Sequence, residues 1–135
     1  MRRFRTFSSK ETKSLGARLA LRILREQKAE SRGALVIGLT GPLGAGKTTF
    51  VQGFFRGMGV RTVPRSPTFV ILRRTPLKRS KRANLFHVDA YRIGRARDLE
   101  TLKFREVVRD PKNVVLVEWG ERVRGVLPRT TRWVQ

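Results

Sequence analysis

A three-layer α/β domain with a mixed, mostly parallel sheet is the fold class that this 135-residue sequence predicts, and three observations carry the prediction. An apolar, β-branched run, Leu35-Val36-Ile37-Gly38-Leu39, leads into a glycine-rich loop and out again into a helical pattern that begins Thr49-Phe50-Val51. Two later apolar runs, Leu85-Phe86-His87-Val88 and Val114-Val115-Leu116-Val117, each end in an acid, Asp89 and Glu118. Ahead of all of them, Leu15, Leu19, Ala20, Ile23 and Leu24 recur at helical spacing, with Arg18, Arg22 and Arg25 between them. Strands interleaved with helices in this way build sheets through crossover connections.

The first helix is expected to pack its apolar stripe on the sheet. Ser8 or Ser9 is placed to cap it, with Glu11 or Thr12 in its first turn, and Ser31-Arg32-Gly33 marks the turn into the first strand. The helix after the glycine-rich loop carries Phe50, Val51, Phe54, Phe55 and Met58 on its inner side and should stop near Gly57 or Gly59. Residues 60–67 form a proline-punctuated connection, after which Thr68-Phe69-Val70-Ile71-Leu72 reads as a strand. Residues 73–82, with six basic side chains, break all periodicity and read as a solvated loop between two strands. The strands at 85–88 and 114–117 follow, each delivering its acid to a strand end.

The loop itself is Gly41-Pro42-Leu43-Gly44-Ala45-Gly46-Lys47-Thr48, the pattern G-x-x-x-x-G-K-[ST] of a phosphate-binding loop. Its glycines let the backbone turn tightly with its N–H groups aimed at anionic oxygens, backed by the positive end of the following helix. Lys47 can reach the β- and γ-phosphates of a nucleotide as a point charge, and the Thr48 hydroxyl is suited to Mg²⁺. A glycine-rich turn that matches by accident is the bland alternative; the strand before it and the helix after it argue for nucleotide binding. An apolar strand ending in a carboxylate resembles a Walker B element, so Asp89 and Glu118 are the candidates to hold the metal or its water.

Composition narrows the classes further. One domain with a real core is the economical reading of this length. The absence of cysteine rules out disulfides, thiol catalysis and cysteine metal sites, and with His87 the only histidine a zinc site is not expected. No apolar stretch approaches bilayer-spanning length, and Met1-Arg2-Arg3-Phe4 is not followed by a signal-peptide core, so a soluble, cytoplasmic protein is expected. Lys and Arg number 31 against 10 acids, a formal net charge of +21 that favours RNA, DNA or acidic proteins as partners. No carboxylate occurs between Glu30 and Asp89, so any acid that serves the phosphate loop must come from outside that stretch. Strand alternation sets His87 on the same face as Asp89, which makes a hydrogen bond between them conceivable.

Four ordered motifs together resemble one family. They are Gly41 to Phe50, then Ser66-Pro67-Thr68-Phe69, then His87-Val88-Asp89-Ala90-Tyr91-Arg92, then Val117-Glu118-Trp119, and they are similar to the small bacterial P-loop ATPases of the TsaE (YjeE) family. The resemblance runs from the first helix, including Thr12 and Leu15-Gly16, to Val126-Leu127-Pro128. It implies a P-loop NTPase-like fold and a single ATPase domain over residues 1–135. It also implies ATP and Mg²⁺ as ligands, with hydrolysis weak alone and stimulated by the proteins of a threonylcarbamoyl transferase complex. The supported reaction would be formation of threonylcarbamoyladenosine next to the anticodon of tRNA, with tRNA met directly or through the complex and no membrane involved.

Carried over by position, Gly41, Leu43, Gly44, Ala45, Gly46, Lys47, Thr48, Thr49 and Trp119 would bind the nucleotide. Thr48, Asp89 and Glu118 would serve the metal, and Asp89, Glu118 and Thr68 the reaction, Thr68 as a switch-like element near the γ-phosphate. Three features depart from the pattern. Pro42 stands where the family has an acid, and Lys103 where it has a glycine. The chain ends at Trp133-Val134-Gln135 inside the strand after Pro128, so the last C-terminal strand or strands would be lacking. Two other readings share these residues: a small P-loop kinase, which would need a lid and an acceptor pocket, and a basic nucleic-acid-binding module with a structural nucleotide.

Overall fold

The computed structural model describes residues 4–26, 33–42, 46–61, 72–78 and 81–135. Helix α1 (Ser9–Arg25) leads to strand β1 (Leu35–Leu39), helix α2 (Lys47–Gly57), strand β2 (Leu72–Pro76) and strand β3 (Asn84–Asp89). A 3₁₀ segment (Ala96–Leu102), helix α3 (Phe104–Arg109), strand β4 (Asn113–Glu118), a second 3₁₀ segment (Gly120–Val126) and strand β5 (Arg132–Val134) complete the order. The sheet runs β2-β3-β4-β1-β5, parallel everywhere except at the antiparallel β2–β3 pair. This is the mixed, mostly parallel sheet expected.

Strand alternation divides the core into two layers. Ile37, Leu39, Leu85, Val114 and Leu116 face α1 and α2, where they meet Ala20, Ile23, Phe50, Phe54, Phe55 and Met58. Val36, Phe86, Val88, Val115 and Val117 face the other way, onto Ile93, Leu99, Phe104 and Val123. Strand β4 is buried along its whole length, as a parallel strand covered on both faces must be.

Helix α1 is capped as its sequence suggests: the Ser8 hydroxyl accepts from the Glu11 N–H at 3.2 Å, while Glu11 accepts from the Phe7 N–H at 2.7 Å. The first bond satisfies an orphaned first-turn donor, and the second ties Phe7, the residue before the cap, to the same turn. The apolar stripe of α1 finds α2 as its chief neighbour. Glycines allow the close approach, since a Cβ at Gly53 would lie 2.0 Å from the Lys13 carbonyl oxygen and one at Gly16 would lie 2.3 Å from that of Phe50. Helix α2 ends at Gly57, with Gly59 at φ 78 just beyond.

One expectation is corrected here. Residues 73–76 are strand rather than solvated loop: Leu72–Pro76 pairs antiparallel with β3, Arg73 opposite His87 and Arg74 opposite Phe86. Periodicity misses this strand because it lies at the sheet edge, where arginine stems can cover apolar neighbours while the heads stay in water. Of the strand expected at 68–72, only Leu72 lies within the described residues.

Candidate nucleotide site

The carboxyl ends of three parallel strands meet at one level. Leu39 is the aligned partner of Glu118 in β4, and Glu118 is the aligned partner of Asp89 in β3. The end of the strand that feeds the glycine-rich loop and both strand-end acids therefore form one row across the sheet. Alternation sets Leu39, Asp89 and Glu118 all on the face covered by α1 and α2. In open α/β sheets this edge is where ligands bind.

Helix α2 begins directly beside the row. Its N-cap residue, Gly46, holds φ 88, a left-handed conformation that glycine adopts without strain. No side chain caps the helix and no acid occupies its first turn, so the N–H groups of its first turn and its positive dipole end are suited to an anion. Lys47 reaches back over the loop, where its ammonium donates to the carbonyl oxygens of Gly41 and, at 3.1 Å, of Pro42. The same Nζ lies 3.6 Å from the centroid of the Trp119 ring, a cation–π contact. Thr48 and Thr49 follow in the first turn of α2, Thr48 exposed. Leu43, Gly44, Ala45 and Thr68 lie outside the described residues.

The two acids have different surroundings. Asp89 is partly exposed and accepts the Tyr91 N–H at 3.1 Å, a local turn that holds the carboxylate at the strand end. Glu118 is buried at 7% exposure and pairs with His87, itself 5% exposed, through Oε2 and Nε2 at 2.7 Å. His87 shares a face with Asp89 as alternation requires, yet its partner is Glu118. Parallel pairing of β3 with β4 sets His87 beside Leu116, so Glu118 is its diagonal neighbour on the same face. Adjacent strands were invisible to the sequence pattern, and so was this pair.

Trp119 turns the chain away from β4 at φ 58. Its ring lies 5.1 Å from that of Tyr91, and the Arg122 guanidinium sits 5.3 Å from the Tyr91 ring and donates to the Tyr91 carbonyl oxygen at 2.9 Å. Tyr91 was named only within the resemblance and Arg122 not at all; an aromatic two residues beyond Asp89 was the available signal. Thr12 was named only within the resemblance, and it stands beside the loop: its methyl would lie 3.6 Å from a Cβ at Gly46, and its hydroxyl shares a 2.7 Å hydrogen bond with that of Thr6.

A metal site can be tested against the donor set. Among the described residues no cluster of three or more His, Asp and Glu side chains gathers to hold an ion alone. A hydroxyl at Thr48 and carboxylates at Asp89 and Glu118 are hard oxygen donors, and Mg²⁺ characteristically takes one or two carboxylates and completes its shell with phosphate and water. The donors fit a metal that arrives with a nucleotide.

Fold and edge together define a P-loop NTPase-like α/β protein. The profile of one family, described as threonylcarbamoyl adenosine biosynthesis protein TsaE, matches residues 6–135. The chain belongs to the TsaE family. It is 44% identical over 110 residues to the tRNA threonylcarbamoyladenosine biosynthesis protein TsaE of Streptomyces coelicolor, covering 81% of this chain and 67% of that one. Its identity to the protein of the same name from Bacillus subtilis is 33% over 127 residues, 94% of this chain and 72% of that one. The crystal structure of Bacillus subtilis YdiB superposes with a TM-score of 0.57 at 31% identity, covering 93% of this chain and 69% of that one. The chain thus spans roughly two-thirds of the length of these relatives, 67% to 72%. Among the described residues no helix is long and apolar enough to cross a membrane.

Proposed function

We propose that this chain binds Mg-ATP at loop 41–48 and hydrolyses it in support of threonylcarbamoyl transfer to the adenosine next to the anticodon of tRNA. Hydrolysis is slow in the isolated chain and faster with the proteins of the transferase complex. The observation that carries the reading is the single row of Leu39, Glu118 and Asp89 at the carboxyl edge, beside the uncapped start of α2. Membership of the TsaE family supplies the reaction served.

In this reading Lys47 exchanges the Gly41 and Pro42 carbonyls for phosphate oxygens, and the first-turn N–H groups of α2 hold the same phosphates. Thr48, Asp89 and Glu118 would hold the metal or its water, and the metal when bound would supply charge neutralisation on the phosphates. Phosphoryl transfer to water asks mainly for positioning and charge stabilisation, which these groups provide without a histidine base. Trp119 and Thr68 are the elements that partner binding would order around the γ-phosphate.

A phosphate-release assay with and without the transferase proteins tests this. Glu118→Ala is expected to keep ATP and partner binding while losing the stimulated turnover, because Lys47 and the helix N-terminus remain. Undiminished stimulation in that variant, or full-speed hydrolysis by the lone protein, defeats the assignment. A phosphorylated metabolite in place of inorganic phosphate would identify a kinase instead.

A further inference from the structure

We propose that His87 is a positioning residue for Glu118: its Nε2–H donates to Oε2 and fixes the carboxylate that serves the metal or the attacking water. The inference deepens the ATPase reading and rests on it. Three observations support it. The two side chains meet at 2.7 Å with 5% and 7% of each residue exposed. Facing a carboxylate in its ionised, acceptor-only form, the imidazole takes the donor role through Nε2–H. Burying Glu118 without such a donor would be costly.

The imidazole is itself held in place. The ring of Phe55 meets it edge-on, with centroids 5.6 Å apart and planes at 76°. Phe55 belongs to α2, the helix whose first turn carries Lys47 and Thr48. The phosphate-binding helix and the buried carboxylate are therefore joined through one histidine. Asp89, by comparison, is more exposed and accepts the local Tyr91 N–H. With Oε2 engaged by His87, Glu118 presents Oε1 to a second partner in one orientation rather than several. A partner that orients an acid in this way characteristically alters metal affinity or activity by about 10- to 100-fold when removed.

Two variants separate orientation from bulk. His87→Leu fills the space without a donor, and His87→Gln returns an N–H close to the position of Nε2. Each is titrated with ADP by calorimetry, first in EDTA and then across a Mg²⁺ series, and assayed for partner-stimulated turnover over a range of ATP concentrations. His87→Leu is expected to keep its metal-free ADP affinity. It should lose about 10- to 100-fold in Mg²⁺ affinity, or in kcat at unchanged KM for ATP, and His87→Gln should recover most of that loss. If His87→Leu fails to fold by circular dichroism, His87→Asn, whose donor stops short of Oε2, takes its place with the same expected result.

Wild-type Mg²⁺ affinity and kcat in the donor-less variant overturn the proposal, as does a His87→Gln variant as impaired as His87→Leu. Glu118→Ala is measured alongside. If it too is unimpaired, the reading of Glu118 has failed and the proposal falls with it; if it is impaired while His87→Leu is not, the His87 inference alone has failed.

Discussion

Lys47 is occupied with its own loop, donating to two backbone carbonyls and lying over the Trp119 ring. Those contacts are local to the glycine-rich turn, so they contribute little to the packed core and can be exchanged for phosphate oxygens. Charge-assisted hydrogen bonds are worth about 1.5–3 kcal/mol each, so Lys47→Ala should weaken ATP binding about 10- to 100-fold. Circular dichroism should show an unchanged fold, and calorimetry the loss. Unchanged ATP affinity in a folded variant would remove the phosphate-loop assignment.

At the scale of elements, the join between the first 3₁₀ segment and α3 carries a cost that the sequence announces. Lys103 stands there at φ 58 and ψ 30, left-handed values that bring a side chain's Cβ too near its own carbonyl. It is one of two non-glycine residues with positive φ among the described residues, the other being Trp119. The glycine expected at 103 from the family pattern is thus matched by the backbone geometry that glycine suits. Lys103→Gly relieves about 1–2 kcal/mol of strain against the extra entropy glycine loses on folding. A net gain of up to about 1 kcal/mol, read as a thermal midpoint about 3 °C higher, is the expected outcome. A lower midpoint would mean that the lysine side chain contributes more than its backbone costs.

Across the whole molecule, charge is the dominant property, +21 over 135 residues. The six basic residues of 73–82 do not act alike. Arg74 donates to Asn84 at 2.9 Å and Arg82 to the Pro111 carbonyl at 2.6 Å, bracing the sheet edge. Arg73 stands opposite His87 in the β2–β3 pair. Lys78 and Lys81 are exposed, and Arg79 lies outside the described residues. If this edge meets tRNA, neutralising Lys78, Arg79 and Lys81 together should flatten the plot of log affinity against log salt by about 2–3, at about 0.7–0.9 per lost phosphate contact. The titration uses the isolated protein at several salt concentrations. Absence of binding even at low salt would assign tRNA contact to the partner proteins alone.

The motifs and the local elements along the chain were readable without a structure. Gly41 to Thr48 carry the pattern of a phosphate loop, legible because such a loop requires glycines and a lysine at fixed spacing. The apolar runs before Asp89 and Glu118 declare strands because alternation and burial act locally. The amphipathic spacing of α1, its Ser8 cap and the glycine stop of α2 are local in the same sense. What the sequence could not express is which strands lie side by side. The pairing of β3 with β4 decides that His87 meets Glu118 rather than Asp89, and the edge position of β2 turns a basic run into a strand. The turn at Trp119 likewise brings its ring over Lys47, 72 positions away in the chain. Periodicity and motif spacing report on neighbours along the chain, whereas a buried hydrogen bond, a sheet edge and a cation over a ring are contacts between segments that only folding brings together.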